Sequence, residues 1–323
     1  MTKRRTLLIL FALFPAIGML APGASLGAEK IKIGVLLTSD DPRYPDTAEA
    51  AIKQLKAEGY DESKIILDIQ SAKGDKAAAA KIARQFAADG VRLVMPMGTT
   101  AATGAVKELK DIPIVFGVVW DPVEAGFARD WKSSGMNTTG SSNKVPMAAL
   151  VRTLRRMKPL KRLGVLYNPT EKNSVLQLEE LKGLQRELAF EAVEIAVTKA
   201  EEAAAAARAF APKVDAFYLS GAVPVTSQTA AIAAVAAERK LPTISHLIDV
   251  VEGGALLAVT ANLQEVGRLA GVKAAQVLRG TKPSSIPIET LKKFDVTINL
   301  KTATAMGVKI PVDLLQSASR VIR

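Results

Sequence analysis

A single order of strands and helices occurs twice along this 323-residue chain, and this repeat limits the fold more than any other feature. Apolar segments rich in β-branched residues predict buried strands, and amphipathic or Ala-rich segments between them predict helices. In the first half the predicted strands are residues 31–37, 65–70, 91–97 and 112–119. In the second half they are residues 162–167, 192–197, 214–219 and 241–245.

The spacing between matching landmarks in the two halves is nearly constant. Gly34 recurs as Gly164, 130 residues later, and Pro113 recurs as Pro242, 129 residues later. Buried strands that alternate with helices form parallel sheets whose two faces are both covered by helices. The repeat therefore predicts an α/β protein of two similar Rossmann-like lobes, each built around a parallel sheet.

The C-terminal tail breaks the repeat and is long enough to cross between the lobes more than once. We expect an N-terminal lobe of residues 29–142 with about 260–283, and a C-terminal lobe of residues 143–259 with about 284–323. The expected crossings lie near residues 141–144, near 253–255 or 260–262, and near 282–286. Several crossings form a multi-strand hinge, which lets the lobes bend without separating.

The N-terminus has the three parts of a secretory signal peptide. Residues 1–5 are basic, residues 6–20 are apolar, and residues 21–28 are small and turn-forming. A membrane anchor is the alternative, and it is disfavoured because a bilayer span needs about 20 apolar residues. We therefore expect cleavage after Ala28, or else after Ala24, and a periplasmic protein that does not span the membrane.

The composition excludes several classes of chemistry. The chain has no Cys, which excludes disulfides, thiolate metal sites and a cysteine nucleophile. It has one His, so a His-based metal site or catalytic triad is disfavoured, and we expect no metal and no cofactor. The formal net charge is +11, but the basic residues are dispersed without a nucleic-acid motif, so we expect no nucleic-acid partner. The basic segment 152–162 is typical of a solvated helix end, with a docking patch for an acidic partner as the alternative.

Polar side chains follow the predicted strands of both halves. Ligands of parallel sheets lie beyond the carboxyl ends of the strands, so two facing lobes would line one cleft with these loops. Hydroxyl and amide groups make directional hydrogen bonds to a small polar ligand. The candidate ligand-binding residues are Thr38, Ser39, Gly98, Thr99, Thr100, Trp120, Asp121, Asn168, Ser220, Ser245 and His246.

Several of these residues also have a purely structural interpretation. Thr99 and Thr100 begin a predicted helix, where they either cap it or present its amides to a carboxylate or phosphate. Asp121 precedes a proline, as a helix cap does, or pairs with a ligand ammonium group. Trp120 either stacks on the ligand or packs at the edge of the cleft. His246 is either a hydrogen-bonded structural residue or part of the site.

Local sequences along the chain add a family resemblance. They are FGVVWDPVEAG at 116–126, GVLYNPTEKNS at 164–174, VVEGGAL at 250–256, the segment 267–288 ending in LRGTKPSSIPI, and INLKTATAMG at 298–307. In this order they resemble the ABC transporter substrate-binding proteins of the tryptophan/tyrosine type, over nearly all of the chain after residue 30. The resemblance implies a periplasmic binding protein of type I, which delivers a small ligand to the membrane permease of an ABC importer without doing chemistry. Such a protein would act as a monomer.

The chain departs from this family at two loops. Family members often carry an Asp in the loops that match Ser220-Gly221 and Ser245-His246, and neither acid is present here. Because such acids suit an ammonium group, their absence leaves Asp121 as the chief candidate partner. The expected ligand is thus a small polar molecule, an amino acid or a related metabolite. A ligand sensor for a membrane receptor and a secreted enzyme that uses His246 are the alternative functions.

The mature protein is predicted to begin at Glu29, because the apolar segment is followed by the small residues of a cleavage site. Intact-mass analysis of periplasmic material measures the start directly. Removal of Lys3, Arg4 and Arg5 with the signal would lower the formal net charge from +11 to +8. Recovery of an uncleaved, membrane-bound chain would contradict the prediction.

Overall fold

The computed structural model describes residues 29–323. The predicted signal peptide and its cleavage site therefore lie outside the described residues. Within residues 29–323, no helix is both long enough and apolar enough to cross a membrane.

Strands and helices alternate through most of the described chain, as the repeat predicts. The strands are β1 (Ile31–Leu37), β2 (Ile65–Ser71), β3 (Leu93–Met97), β4 (Ile114–Val119), β5 (Thr138–Ser142), β6 (Arg162–Tyr167), β7 (Glu191–Ala196), β8 (Ala216–Leu219), β9 (Thr243–Ser245), β10 (Leu257–Thr260), β11 (Glu289–Thr290), β12 (Asp295–Asn299) and β13 (Arg320–Ile322). The helices are α1 (Arg43–Ala57), α2 (Lys76–Ala88), α3 (Thr99–Glu108), α4 (Met147–Arg155), α5 (Lys172–Gly183), α6 (Ala203–Phe210), α7 (Val223–Thr226), α8 (Thr229–Glu238), α9 (Ile248–Glu252), α10 (Leu263–Leu278), α11 (Leu300–Met306) and α12 (Val312–Gln316).

The strands form two sheets with the same order of their first five members. The N-terminal sheet runs β2-β1-β3-β4-β5-β11, and all of its neighbours are parallel. The C-terminal sheet runs β7-β6-β8-β9-β10-β12-β13, and β10 with β12 is its antiparallel pair. This topology confirms the predicted α/β fold of two similar lobes with mostly parallel sheets.

The glycines that mark the repeat have the same packing role in both lobes. A Cβ atom on Gly34 of β1 would lie 2.5 Å from the ring of Phe86 in α2. A Cβ atom on Gly164 of β6 would lie 2.8 Å from the ring of Phe217 in β8. A parallel strand is buried on both faces, and a glycine at its centre leaves room for an aromatic ring close to the backbone.

The chain crosses between the lobes three times within the described residues, at 143–146, 261–262 and 291–294. The third crossing comes later than the sequence analysis expects, because β11 pairs with β5 and keeps residues 284–290 on the N-terminal lobe. Two buried contacts hold this segment there. Thr139 Oγ1 donates to the carbonyl of Ile286 at 2.9 Å, and Lys273 Nζ donates to the carbonyl of Pro287 at 2.7 Å.

Helix α10 returns to the N-terminal lobe by packing closely on α1. Two glycines one turn apart permit this approach. A Cβ atom on Gly267 would lie 2.4 Å from the carbonyl oxygen of Thr47, and one on Gly271 would lie 2.4 Å from that of Ala51. Since both obstacles are backbone atoms, a larger residue would force the helices apart.

Gly267→Ala is predicted to lower the free energy of unfolding by about 1–3 kcal/mol, because the added methyl group overpacks the α1–α10 contact. Gly183→Ala is the matched control, since nothing lies within 4 Å of its added Cβ atom in α5. There we expect unchanged or slightly higher stability, because alanine favours a helix more than glycine does. Urea unfolding of the two variants measures both values. Equal stabilities would contradict the close packing.

Candidate functional site

A cavity lies between the two lobes at the carboxyl ends of their central strands. The space free of protein atoms there, with adjoining open solvent included, is about 270 Å³. Its lining residues come from both lobes and are Arg43, Tyr44, Thr99, Val118, Trp120, Asn143, Asn173, Gln177, Gly221 and His246.

Three of the sequence-predicted site residues line this cavity, namely Thr99, Trp120 and His246. The other candidates are buried in the surrounding loops and do not line it: Thr38, Ser39, Gly98, Thr100, Asp121, Asn168, Ser220 and Ser245. Sequence reasoning missed most of the remaining wall. The missed residues are Arg43, Tyr44, Val118, Asn143, Asn173, Gln177 and Gly221.

The start of α3 is shaped by a cap from the residue that follows β1. Thr38 Oγ1 accepts a hydrogen bond from the amide of Ala101 at 3.1 Å. Gly98 has a φ of +99°, and a Cβ atom there would lie 2.3 Å from that same hydroxyl oxygen. The first amides of a helix have no intrahelical partner, so α3 presents donors near Thr99 at the cavity wall.

Asp121 supports the cap interpretation and does not face the ligand space. Its Oδ1 accepts the amides of Val123 and Glu124, both at 3.1 Å. Its Oδ2 lies 2.8 Å from Lys144 Nζ, and Lys144 lies in the first crossing between the lobes. Lys144 is also 3.2 Å from Glu180 of the C-terminal lobe. Both carboxylate oxygens of Asp121 are thus used within the protein, against the expectation of an ammonium partner.

Three other candidates hold the C-terminal loops in place. Ser245 Oγ donates to the carbonyl of Leu219 at 2.9 Å. Asn168 Nδ2 donates to Glu171 Oε1 at 3.0 Å. Ser220 Oγ accepts the amide of Ala222 at 3.4 Å. The Ser245 bond joins the ends of β9 and β8, and the other two bonds shape the loops that follow β6 and β8.

His246 belongs to a closed ring of hydrogen bonds. Its Nδ1 is 2.8 Å from the hydroxyl of Tyr218, which is 3.1 Å from Gln177 Oε1. Gln177 Nε2 is in turn 3.4 Å from His246 Nε2. All three contacts are satisfied when the neutral ring carries its proton on Nδ1, a tautomer assigned here from the network. His246 therefore has the structure of a positioned, hydrogen-bonded wall residue.

The ring of His246 stays uncharged at neutral pH. Its side chain is buried, and burial lowers its pKa to about 3, with a smaller contribution from the nearby charge of Arg43. A buried imidazole loses the hydration that stabilises its charged form. His246 thus adds no charge to the cavity.

Arg43 supplies the positive charge of the cavity. Its guanidinium is 3% exposed and forms a two-point pair with Asp41, at 2.9 Å and 2.6 Å. Nη2 also donates to Thr226 Oγ1 of the other lobe at 2.9 Å, and Asp249 lies 4.0 Å away. No residue of the cavity lining is acidic. The lining therefore favours an anionic group on the ligand.

Three buried polar atoms of the cavity lining have no hydrogen-bond partner among the described residues. They are Thr99 Oγ1, Trp120 Nε1 and Asn143 Oδ1. An unpaired buried polar atom costs about 1–3 kcal/mol, so such atoms are rare unless a ligand or water meets them. Trp120 Nε1 can only donate and Asn143 Oδ1 can only accept, so together they match a ligand with both kinds of group.

Flat side chains form much of the remaining wall. Tyr44 and Trp120 come from the N-terminal lobe, and Trp120 meets His246 edge to face with ring centroids 4.8 Å apart. Val118 also lines the cavity, with a φ of +56° that is unusual for a β-branched residue. Aromatic walls of this kind suit a planar group on the ligand.

Comparison with known proteins identifies the family. The family described as ABC transporter substrate binding protein matches residues 32–322. The chain belongs to this family. The resemblance noted from the sequence is thereby confirmed.

Individual relatives are similar over most of their length. A tyrosine-binding protein of Clostridioides difficile is 30% identical over 279 residues, covering 86% of this chain and 81% of the relative. A domain from Streptococcus pneumoniae, solved in complex with L-Trp, is 29% identical with a TM-score of 0.86, covering 91% of this chain and 100% of that one. These relatives are binding proteins rather than enzymes.

A further solved structure is similar to this chain. It is a substrate-binding protein with adhesive properties from Clostridium difficile, described as ligand-free and open, and 30% identical with a TM-score of 0.71. It covers 90% of this chain and 99% of that one. The L-Trp complex, at a similar sequence identity, therefore superposes on this chain more closely than the ligand-free structure does.

The pH dependence of stability is predicted to depend on His246. In the unfolded chain this histidine takes up a proton near its ordinary pKa of about 6.5, whereas in the folded protein its pKa is about 3. The unfolded state therefore binds more protons between these values, and the free energy of unfolding falls as the pH falls through this window, by up to about 1.4 kcal/mol per pH unit.

His246→Asn removes the titrating group while keeping an amide beside Tyr218, so its stability should fall less steeply with decreasing pH. Urea unfolding of both proteins between about pH 4 and 7 gives the two slopes. All other titrating groups contribute to both proteins, so their effects cancel in the difference. Identical slopes would show that His246 is not held uncharged.

Proposed function

We propose that this protein binds an amino acid with an aromatic side chain between its lobes and delivers it to the membrane permease of an ABC importer. The observation that carries the ligand assignment is the arrangement of Arg43, Trp120 Nε1 and Asn143 Oδ1 around one cavity. A cation, an unpaired donor and an unpaired acceptor match the carboxylate and ammonium groups of a free amino acid.

The carboxylate is placed against Arg43 and the first amides of α3. The described structure gives Arg43 Nη1 no hydrogen bond, while Nε and Nη2 are held by Asp41 and Thr226. A carboxylate there would accept a hydrogen bond from Nη1 and would also lie at the positive end of a helix. The hydroxyl of Thr99 is a further unpaired donor at the same wall.

The ammonium group is placed against neutral oxygens, with Asn143 Oδ1 as the first acceptor. Because no carboxylate lines the cavity, the ammonium contributes less to binding than in a site that carries an acid. The aromatic side chain of the ligand then lies among Tyr44, Trp120 and His246. The names of two relatives, one binding tyrosine and one solved with L-Trp, support this class of ligand.

The family and the N-terminal sequence support the export and delivery parts of the proposal. The predicted signal peptide would place the mature chain in the periplasm, where binding proteins of this family serve a permease. We propose a monomer that carries one ligand at a time between its two lobes. Transport of the ligand by a permease reconstituted with and without this protein would test the delivery step.

Calorimetric titration with a matched set of ligands tests the binding site. We expect L-Trp or L-Tyr to bind and indole-3-propionate, which lacks the ammonium group, to bind somewhat more weakly. Tryptamine lacks the carboxylate and should bind at least about a hundredfold more weakly, since a charge-assisted hydrogen-bonded contact is worth about 1.5–3 kcal/mol and more than one is lost.

Trp120→Phe removes the Nε1 donor and keeps an aromatic ring, so it should weaken binding by about tenfold. Trp131→Phe is the matched control, because it changes the other tryptophan, which does not line the cavity, and should bind normally. Tryptamine binding as tightly as L-Trp, or equal effects of the two substitutions, would contradict the proposed placement.

A further inference from the structure

A second space between the lobes lies beside the ligand cavity. It is a groove with about 1110 Å³ of space free of protein atoms, compared with about 270 Å³ in the ligand cavity. Arg43 lines both spaces. We call it the hinge groove, because residues 260–264, which include the second crossing, form one of its walls.

Both lobes contribute to the hinge groove. Pro42, Arg43 and Asp46 at the start of α1 form the N-terminal side. On the C-terminal side the wall comes from α9 and from β12 with the residues that precede and begin β13. A molecule bound there would therefore contact both lobes at once.

The hinge groove carries an excess of negative charge. Its acids are Asp46, Asp249, Glu252 and Asp295, and its cations are Arg43 and Arg320. Glu252 is paired with Arg320 at 2.5 Å, and the guanidinium of Arg43 is already held at two points by Asp41. Within the described chain, Asp46 and Asp295 have no ion-pair partner, and the only one of Asp249 is Arg43 at 4.0 Å. The unpaired charge of the groove is thus negative.

A buried hydroxyl in the same wall points independently to a ligand. Thr297 is 1% exposed, lines the groove, and its Oγ1 has no hydrogen-bond partner among the described residues. Side chains alternate along a strand, so Thr297 shares one face of β12 with Asp295, while Ile298 packs into the core. An acid and an unpaired acceptor thus lie side by side on the groove wall.

Apolar side chains complete the groove. Pro42, Ile248, Ala261 and Leu263 line it together with the acids. A metal ion does not match this wall, since the described residues contain no cluster of His, Cys, Asp and Glu suited to hold one. A short hydrocarbon chain with an ammonium group matches both the apolar and the acidic parts.

We propose that the hinge groove is a second ligand site that takes a small organic cation, an alkyl amine or diamine. The ammonium group pairs with Asp295 and Asp249 and donates to Thr297 Oγ1, and the alkyl chain lies against Ile248 and Leu263. This site does not depend on which ligand occupies the cavity on the other side of Arg43.

Occupation of the hinge groove strengthens binding in the ligand cavity. A ligand that contacts both lobes stabilises the arrangement in which these contacts exist, which here is also the arrangement that closes the cavity. The coupling is reciprocal, so each ligand raises the affinity for the other by the same factor.

Titration calorimetry with 1,5-diaminopentane on the purified chain, without added amino acid, tests the site. We expect saturable binding of the diamine, and none of 1,5-pentanediol or glutarate at the same concentrations. Asp295→Asn and Thr297→Val should each weaken diamine binding by about tenfold, because each removes one charged or hydrogen-bonding contact. Asp111→Asn is the matched control, an exposed acid away from the groove that should leave binding unchanged.

The two failures are separable. Absence of diamine binding, or equal weakening by Asp111→Asn and Asp295→Asn, would overturn the second site whatever the cavity binds. If the diamine binds normally but no aromatic amino acid binds to the protein, the second site is upheld and the proposed function is overturned. Diamine binding that persists unchanged in both Asp295→Asn and Thr297→Val would also overturn the assignment to this groove.

Discussion

The relation between the two lobes depends on the buried guanidinium of Arg43. A cation removed from water is costly unless opposite charge and hydrogen bonds replace its hydration. Asp41 of the same lobe replaces part of that hydration. Burial alone would lower the pKa of Arg43, but the nearby acidic groups outweigh it and hold the pKa above its usual range. Thr226 and Asp249 supply the rest from the opposite lobe. Opening the lobes would remove these two contacts and return that side of the guanidinium to water.

The contacts of Arg43 favour closure of the lobes, whereas the cavity lining disfavours it. Thr99 Oγ1, Trp120 Nε1 and Asn143 Oδ1 each lose water when the lobes close, and within the described protein nothing replaces it. At about 1–3 kcal/mol for each atom, these losses can outweigh the gain from the few polar contacts between the lobes. A ligand that pairs with all three atoms removes the penalty. Under the proposed function, closure would be coupled to ligand binding by the polar atoms themselves, in addition to any contact area gained.

The fold could be predicted from sequence wherever burial is reflected in composition. β1, β3 and β4 are covered on both faces, so their residues are almost entirely apolar and the pattern finds them. β5 reads TTGSS and was not predicted as a strand, although all five residues are buried. Its hydroxyls bond to backbone carbonyls, as Ser141 does to Val266 and Ser142 to Trp120. A polar segment whose hydroxyls are hydrogen-bonded in this way has no hydrophobic pattern from which a strand could be predicted.

The site could be predicted only in part, because its lining depends on which faces the two lobes turn to each other. The strand-end argument finds Thr99, Trp120 and His246, since it needs only the position after a strand. Arg43 is the first residue of a helix, where the sequence alone indicates a solvated side chain. It is buried in the cavity wall only because the opposite lobe covers it. Gln177 lies one turn inside α5, where no local pattern distinguishes the cavity face from the rest.

The repeat itself holds the information that this local reasoning lacked. Lining residues occur at equivalent places in the two lobes: at the helix after the first strand, after the third strand, and after the fourth strand. Arg43 corresponds to Asn173, 130 residues later, which is the spacing that separates Gly34 from Gly164. The two residues differ in chemistry, since a cation in one lobe is matched by an amide in the other. The duplicated fold therefore determines where residues line the cavity, and divergence between the two copies makes the cavity asymmetric enough to orient a ligand whose two ends differ.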